Sequence, residues 1–114
     1  MLTTAEIAWT AGFLEGEGSF YSGYAAGDNT VASQVSAGQR QREPLTRLQA
    51  MFGGSICCRK SGKSAGMYAW KVTGQRARGL AMTLYPLLSP RRRAQVRAML
   101  TSWRVHTTSA RRRS

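Results

Sequence analysis

Apolar positions change period several times along this chain, and each change marks an element. From Thr3 onward the spacing is helical. Ile7, Ala8, Ala11, Gly12 and Leu14 recur at three- and four-residue intervals. "TTAE" supplies a capping box, with Thr3 as the cap and Glu6 three residues on. The glycines from Gly16 to Gly18 predict where the helix stops. "SFYSGY" then reads as a strand with Phe20 and Tyr24 on related faces, "AAGDN" as a turn, and "TVASQVS" as a second strand alternating at Val31, Ser33 and Val35. The loop "AGQRQRE" leads to Pro44 in the first turn of another helix. Leu45, Leu48 and Phe52 line its apolar face, and Gly53-Gly54 end it.

The second half repeats the theme. "SICCR" is a strand, "KSGKSAG" a basic turn, and "MYAWKV" a strand with Tyr68, Trp70 and Val72 on one face. A helix is expected from Arg76 to Leu84, carrying Ala77, Leu80, Ala81 and Leu84. Ser89-Pro90 opens a last helix with Val96, Met99, Leu100 and Trp103 on its apolar side. The order α-β-β-α-β-β-α-α predicts one α+β domain over residues 1–105. Its four-stranded antiparallel sheet should have helices packed on one face and the other face free. Residues 106–114 read as a basic C-terminal tail, and His106 as a surface residue.

Charge narrows the function. Lys and Arg total 17 against 5 acids in 114 residues, a formal charge of +12. That balance predicts a polyanionic partner, nucleic acid first. A membrane surface is disfavoured, because no single helix carries the charge opposite an apolar face. With no signal peptide and no bilayer-length apolar run, an intracellular protein is expected. Arg40, Arg42, Arg59, Lys60 and Lys63 fall in loops expected at the ends of the free sheet face, and Lys71 falls on the fourth strand. Cys57 and Cys58 are adjacent, which suits neither a disulfide nor a CxxC metal site; on a strand, one should point inward and one outward.

Against this basic background, "WTAGFLEGEGSF" contains two of the five acids, Glu15 and Glu17. Both fall near a helix C-terminus, where negative charge is disfavoured by roughly 0.3–1 kcal/mol per exposed group. A compensating cation is expected there, either an Arg or a hard metal such as Mg2+. Ala8, Gly12 and Gly16 share one helix face. Glycine inside a helix costs about 1 kcal/mol, which makes sense if a second helix must approach closely. The pattern occurs once, so the simplest partner is the same helix of a second copy. A two-fold axis would bring two acidic helix ends together, an arrangement suited to metal-assisted DNA hydrolysis. The same spacing also fits a glycine-rich turn with solvent-exposed acids.

"TAGFLEGEG", Thr10 to Gly18, resembles the motif of the LAGLIDADG homing endonucleases. Thr10 stands where the family usually has Leu. Ala11-Gly12 match the family pair, and Phe13-Leu14 match its apolar positions. Glu15 and Glu17 stand at the two acids, with Gly16 and Gly18 at the small positions. "REPLTRLQAMFGGSI", "MYAWKV" and "LYPLLSPRRRAQ" resemble later family segments in the family's order, extending the likeness from Thr3 to about Trp103. The resemblance implies the family's fold. It also implies a divalent metal, Mg2+ with Mn2+ as a substitute, held by Glu17 with Glu15 in support. Arg91, near the start of the last helix, would polarise the attacked phosphate or its water, with Arg92 and Arg93 beside it. The family's catalytic Gln follows the second strand. Ungapped counting puts Ala37 there, so Gln39 is the candidate, with Gln34 as another.

One motif implies a homodimer on near-palindromic double-stranded DNA. Ala8, Gly12 and Gly16 would lie at its interface, and Arg40, Arg42, Arg59, Lys60, Lys63, Lys71, Arg92 and Arg93 would contact DNA. The expected activity is site-specific, intron-homing-type hydrolysis of both strands. The alternative is a catalytically weak or inactive binder on the same fold: a splicing helper that grips intron RNA, or a regulator. A ribosomal or nucleoid-type structural protein would explain the charge but gives no reason for the placement of Glu15 and Glu17.

Overall fold

Thr3 caps the first helix as its sequence predicts. Its hydroxyl accepts from the Glu6 N–H at 3.0 Å, and the Glu6 carboxylate accepts from the Thr3 N–H at 3.0 Å. The computed structural model describes residues 2–24, 31–63 and 65–113, with backbone alone for Gly23, Tyr24, Val31 and residues 105–113. The expected "AAGDN" turn and the side chain of His106 lie outside the described residues.

Helix α1 spans Thr4–Glu17 and passes directly into strand β1, Gly18–Tyr24. The Gly18 N–H donates to the Leu14 carbonyl oxygen. A Cβ at Gly18 would lie 2.7 Å from that oxygen and 2.9 Å from the Leu14 Cβ, so only glycine fits this junction. Strand β2 spans Val31–Gln39 and helix α2 Glu43–Phe52. The hairpin of β3 (Ser55–Cys58) and β4 (Tyr68–Thr73) follows, then α3 (Gly74–Leu84), a short 3-10 turn (Tyr85–Leu87) and α4 (Pro90–Arg113).

The strands form one antiparallel sheet in the order β1-β2-β4-β3. One row runs Gly18, Ala37, Trp70, Ile56, and the next Phe20, Val35, Val72. Strand alternation sends these rows to one face, where Phe20, Val35, Ala37, Trp70 and Val72 are buried with Leu14 of α1, Leu45 and Leu48 of α2, Leu80 and Leu84 of α3, and Val96 and Met99 of α4. The Trp70 indole N–H donates to the Gly53 carbonyl oxygen at 2.9 Å, which satisfies its polar edge inside the core. The opposite face carries Ser19, Ser36, Lys71 and Ser55 in one row and Tyr21, Gln34 and Thr73 in another. The α+β architecture and the one-sided helical cover are those expected from the sequence.

Four local expectations change. Strand β2 continues through Ala37–Gln39, read from sequence as loop, because Gly38 and Gln39 pair with Ala69 and Tyr68 of β4. Helix α3 starts at Gly74 rather than Arg76. Cys57 and Cys58 are both exposed, because β3 is a four-residue edge strand with little cover on either face. The α4 backbone continues as helix to Arg113, beyond Trp103, the last apolar position expected on it. Among the described residues no helix is long and apolar enough to cross a membrane.

Candidate functional site

Glu17 is the last residue of α1 and is exposed. Glu15, two residues before the end, is engaged elsewhere. One of its carboxylate oxygens accepts from the Ser89 N–H at 2.7 Å and the other from the Ser89 hydroxyl at 2.7 Å. Ser89 directly precedes α4, so a carboxylate of α1 caps the positive end of another helix. These bonds, the backbone one first, hold the Glu15 carboxyl below the usual carboxylate range; nearby Arg92 and Arg91 add to the effect.

The three consecutive arginines at the start of α4 have different fates. Arg92 is buried at 7% exposure; its Nε donates to the Glu15 carbonyl oxygen at 3.0 Å and its Nη1 to Gln95 Oε1 at 3.1 Å. Arg93 donates to the Tyr85 carbonyl at 3.1 Å and the Pro86 carbonyl at 2.8 Å, with its guanidinium 5.6 Å from the Tyr85 ring centre. Arg91 is exposed and makes no side-chain hydrogen bond among the described residues. Arg92 and Arg93, expected to contact DNA, are bonded to carbonyls left open by the end of α1 and by the 3-10 turn.

The candidate glutamines lie apart. Ala37 sits opposite Gly18, the residue that follows Glu17, and is buried at 4% exposure. Gln39 is two residues further along β2, half-buried, opposite Tyr68. Gln34 lies on the open face, opposite Tyr21 and Thr73.

The basic residues divide between two ends of the sheet. Arg40, Arg42, Arg59, Lys60 and Lys63 are exposed around the end where Gln39, Tyr68 and Cys58 meet. Arg42 lies over the Tyr68 ring at 5.9 Å. The turn after β3 is closed by Arg59 N–H to Met67 carbonyl, 2.9 Å, and Gly66 N–H to Arg59 carbonyl, 2.8 Å. Lys71 stands on the open face between Ser36 and Ser55. With Arg76, Thr73, Ser55, Gly54 and Val72 it lines a shallow cavity of about 210 Å³ at the other end.

The outer face of α1 is bare. Ala8, Gly12 and Gly16 are exposed, and a Cβ added at Gly12 or Gly16 meets nothing within 4 Å. Packing among the described residues therefore does not explain these glycines. Beside them Trp9 stacks on Phe13 with centroids 5.3 Å apart, and the Arg47 guanidinium covers Trp9 at 4.1 Å.

Among the described residues no group of three or more His, Cys, Asp or Glu comes together as a metal cage. The residues present fit a different kind of site. Mg2+ is commonly bound through one or two carboxylates, with waters and substrate phosphates completing the shell. An exposed Glu17 offers one such carboxylate per chain.

No protein-family model matches the chain, and no curated protein resembles it significantly in sequence. Solved structures do resemble it. The homing endonuclease I-CvuI in complex with its target superposes with a TM-score of 0.75 at 22% identity, covering 93% of this chain and 70% of that one. The group I intron-encoded homing endonuclease I-CeuI complexed with DNA gives 0.72 at 18%, covering 98% of this chain and 60% of that one. The LAGLIDADG homing endonuclease I-GzeII in complex with its DNA target gives 0.69 at 16%, covering 96% and 39%. The fold is that of the LAGLIDADG homing endonucleases. On this LAGLIDADG-type fold the present chain spans less of each protein's length than that protein spans of the chain, and at these identities the likeness is one of architecture.

Sequence reasoning missed Ser89 as the partner of Glu15, the burial of Arg92, and Arg76 beside Lys71. The first two are contacts across 74 and 77 residues, for which no local pattern exists. Arg76 was legible as a basic residue, but its place beside Lys71 depends on α3 beginning straight after β4.

Proposed function

We propose that this chain is a divalent-metal-dependent endonuclease that acts as a homodimer on near-palindromic double-stranded DNA. The observation that carries the reading is Glu17: an exposed carboxylate at the end of a helix whose outer face is apolar and unfilled. Close contact between two copies of that face at Ala8, Gly12 and Gly16 would set two Glu17 carboxylates side by side. The open sheet faces of the two copies would then form one basic surface. Proteins of this fold whose structures hold DNA support the same reading.

Glu17 of each copy would hold Mg2+, with Mn2+ as a substitute; Glu15 is engaged by Ser89. The ion, when bound, supplies Lewis-acid stabilisation of charge on the phosphate and leaving oxygen. Arg91 donates to a phosphate oxygen and stabilises its growing negative charge, but it keeps its own proton. Gln39 orients the attacking water. Arg40, Arg42, Arg59, Lys60, Lys63 and Lys71 engage DNA, with Arg suited to bidentate reading of guanine and Lys to phosphate contact.

The test is cleavage of a randomised duplex library in Mg2+ by the wild type and by Glu17→Gln, with the cut ends sequenced. Near-palindromic cut sites that vanish in the variant are expected. Cuts retained by Glu17→Gln would remove Glu17 from the site.

A second reading, a binder of DNA or intron RNA without cutting activity, is favoured by the Ala37 methyl at the position across from Gly18. It predicts selective retention of one nucleic acid by the folded protein and no cuts in Mg2+ or Mn2+.

A further inference from the structure

Two helix ends that carry the proposed chemistry are joined by a reciprocal exchange of charge. The Glu15 carboxylate of α1 takes both hydrogen-bond donors of Ser89, at 2.7 Å each, at the N-terminus of α4. In return the buried Arg92 guanidinium of α4 donates to the Glu15 carbonyl oxygen, 3.0 Å away, at the C-terminus of α1. The Ser89 hydroxyl accepts from the Arg92 N–H at 3.4 Å, and Gln95 braces the guanidinium at 3.1 Å. Each helix thus places a charge of the favourable sign on the other's dipole end. Apart from this cluster α1 and α4 share little packing; α4 rests chiefly on β1.

We propose that Glu15, Ser89 and Arg92 are positioning residues that fix the spacing between the Glu17 carboxylate and the Arg91 guanidinium. The inference rests on the nuclease reading above for its chemical consequence, but its mechanical part stands on the geometry alone. Glu17 follows Glu15 by two residues on α1, and Arg91 lies between Ser89 and Arg92 on α4. A single knot therefore controls both groups. Neither Glu15 nor Arg92 touches substrate in this scheme; each acts through its neighbour. The cluster also explains why a chain with so few acids has two in one short motif. Glu17 is the reactive acid, and Glu15 ties the end of its helix to the element that carries the cation. Misplacement of reacting groups by about 1 Å can lower a rate about 100-fold, so loosening the knot should affect chemistry far more than binding.

The decisive measurement pairs hydrogen exchange with single-turnover cleavage, using the full chain and the variants Glu15→Gln, Ser89→Ala and Ser89→Thr. In Glu15→Gln and Ser89→Ala, exchange should accelerate at both Gly16–Gly18 and Arg91–Arg93, with the β2–β4 ladder unchanged. Cleavage at saturating protein should fall about 10- to 100-fold while affinity for the same duplex, measured in Ca2+, stays within about 2-fold. Ser89→Thr keeps the hydroxyl and the N–H, so it should restore the rate to within about 3-fold of wild type.

Loosening confined to the first turn of α4 would reduce the cluster to an ordinary helix cap and overturn the proposal, whether or not the protein cuts DNA. A folded Glu15→Gln protein that cuts at the wild-type rate would overturn it equally. Wild-type protein that fails to cut any duplex would sink the nuclease reading alone, and the exchange pattern would still decide the clamp.

Discussion

Ala37 lies directly across the β1–β2 ladder from Gly18, so the residue that follows Glu17 faces a buried methyl group. On the proposed nuclease reading, an amide for orienting water would come from elsewhere, and Gln39, two residues further along β2 and half-buried, is the candidate. Gln39→Ala should lower single-turnover cleavage by about 100-fold or more, the lower end of the range typical of a group that manages a proton or water, while leaving the melting temperature within a few degrees. An unchanged rate assigns Gln39 no part in the chemistry.

On the proposed homodimer, Gly12 separates folding from association. A Cβ there meets nothing within 4 Å among the described residues. Replacing a helical glycine with a better helix former adds up to about 1 kcal/mol. Gly12→Leu should therefore keep or raise the thermal stability of the single chain and abolish self-association. Sedimentation velocity with a melting curve reads both. A variant that still sediments as the dimer would place the self-contact on another face.

The arginines that open α4 should behave in opposite ways. Arg91→Ala removes an exposed guanidinium, so cleavage should drop with stability within about 0.5 kcal/mol of wild type. Arg92→Ala leaves the Glu15 carbonyl without its donor and opens a cavity, for a stability loss of about 2–4 kcal/mol in urea unfolding. A destabilised Arg91→Ala protein beside an undisturbed Arg92→Ala protein would reverse the assignment.

Lys71 and Arg76 share one shallow cavity beside the open face. If both contact phosphates, each alanine variant should weaken binding to unrelated duplexes alike and reduce the slope of log affinity against log salt by about 1. Fluorescence anisotropy across a salt series measures this. A loss confined to one base position would make the residue a reader of sequence instead.

The sequence carried much of the architecture because its signals are local. The Thr3–Glu6 capping box, the alternation at Tyr68, Trp70 and Val72, and the glycines that end α1 and α2 are each readable within a few residues. The extent of β2 was not, because Gly38 and Gln39 become strand only through pairing with β4. Glu17 was a candidate from motif and charge. That Glu15 is bonded to Ser89 while Glu17 stays exposed, and that Arg92 and Arg93 are bonded to carbonyls while Arg91 stays exposed, was not legible. In each set the residue types are alike, and only distant partners such as Ser89 and the Glu15 and Tyr85 carbonyls separate them.

The glycines of the α1 motif answer to different constraints, and this bears on how such a sequence drifts. Gly18 is fixed by its own chain: any side chain there collides with Leu14. Gly12 and Gly16 are not fixed in this way, since a methyl group at either reaches empty space. A lineage that gave up close contact on this helix face would be free to exchange Gly12 and Gly16 for better helix formers while Gly18 stayed. The pairing of invariant and drifting glycines within one motif would thus record, in descendants, whether the outer face of the helix is still in use.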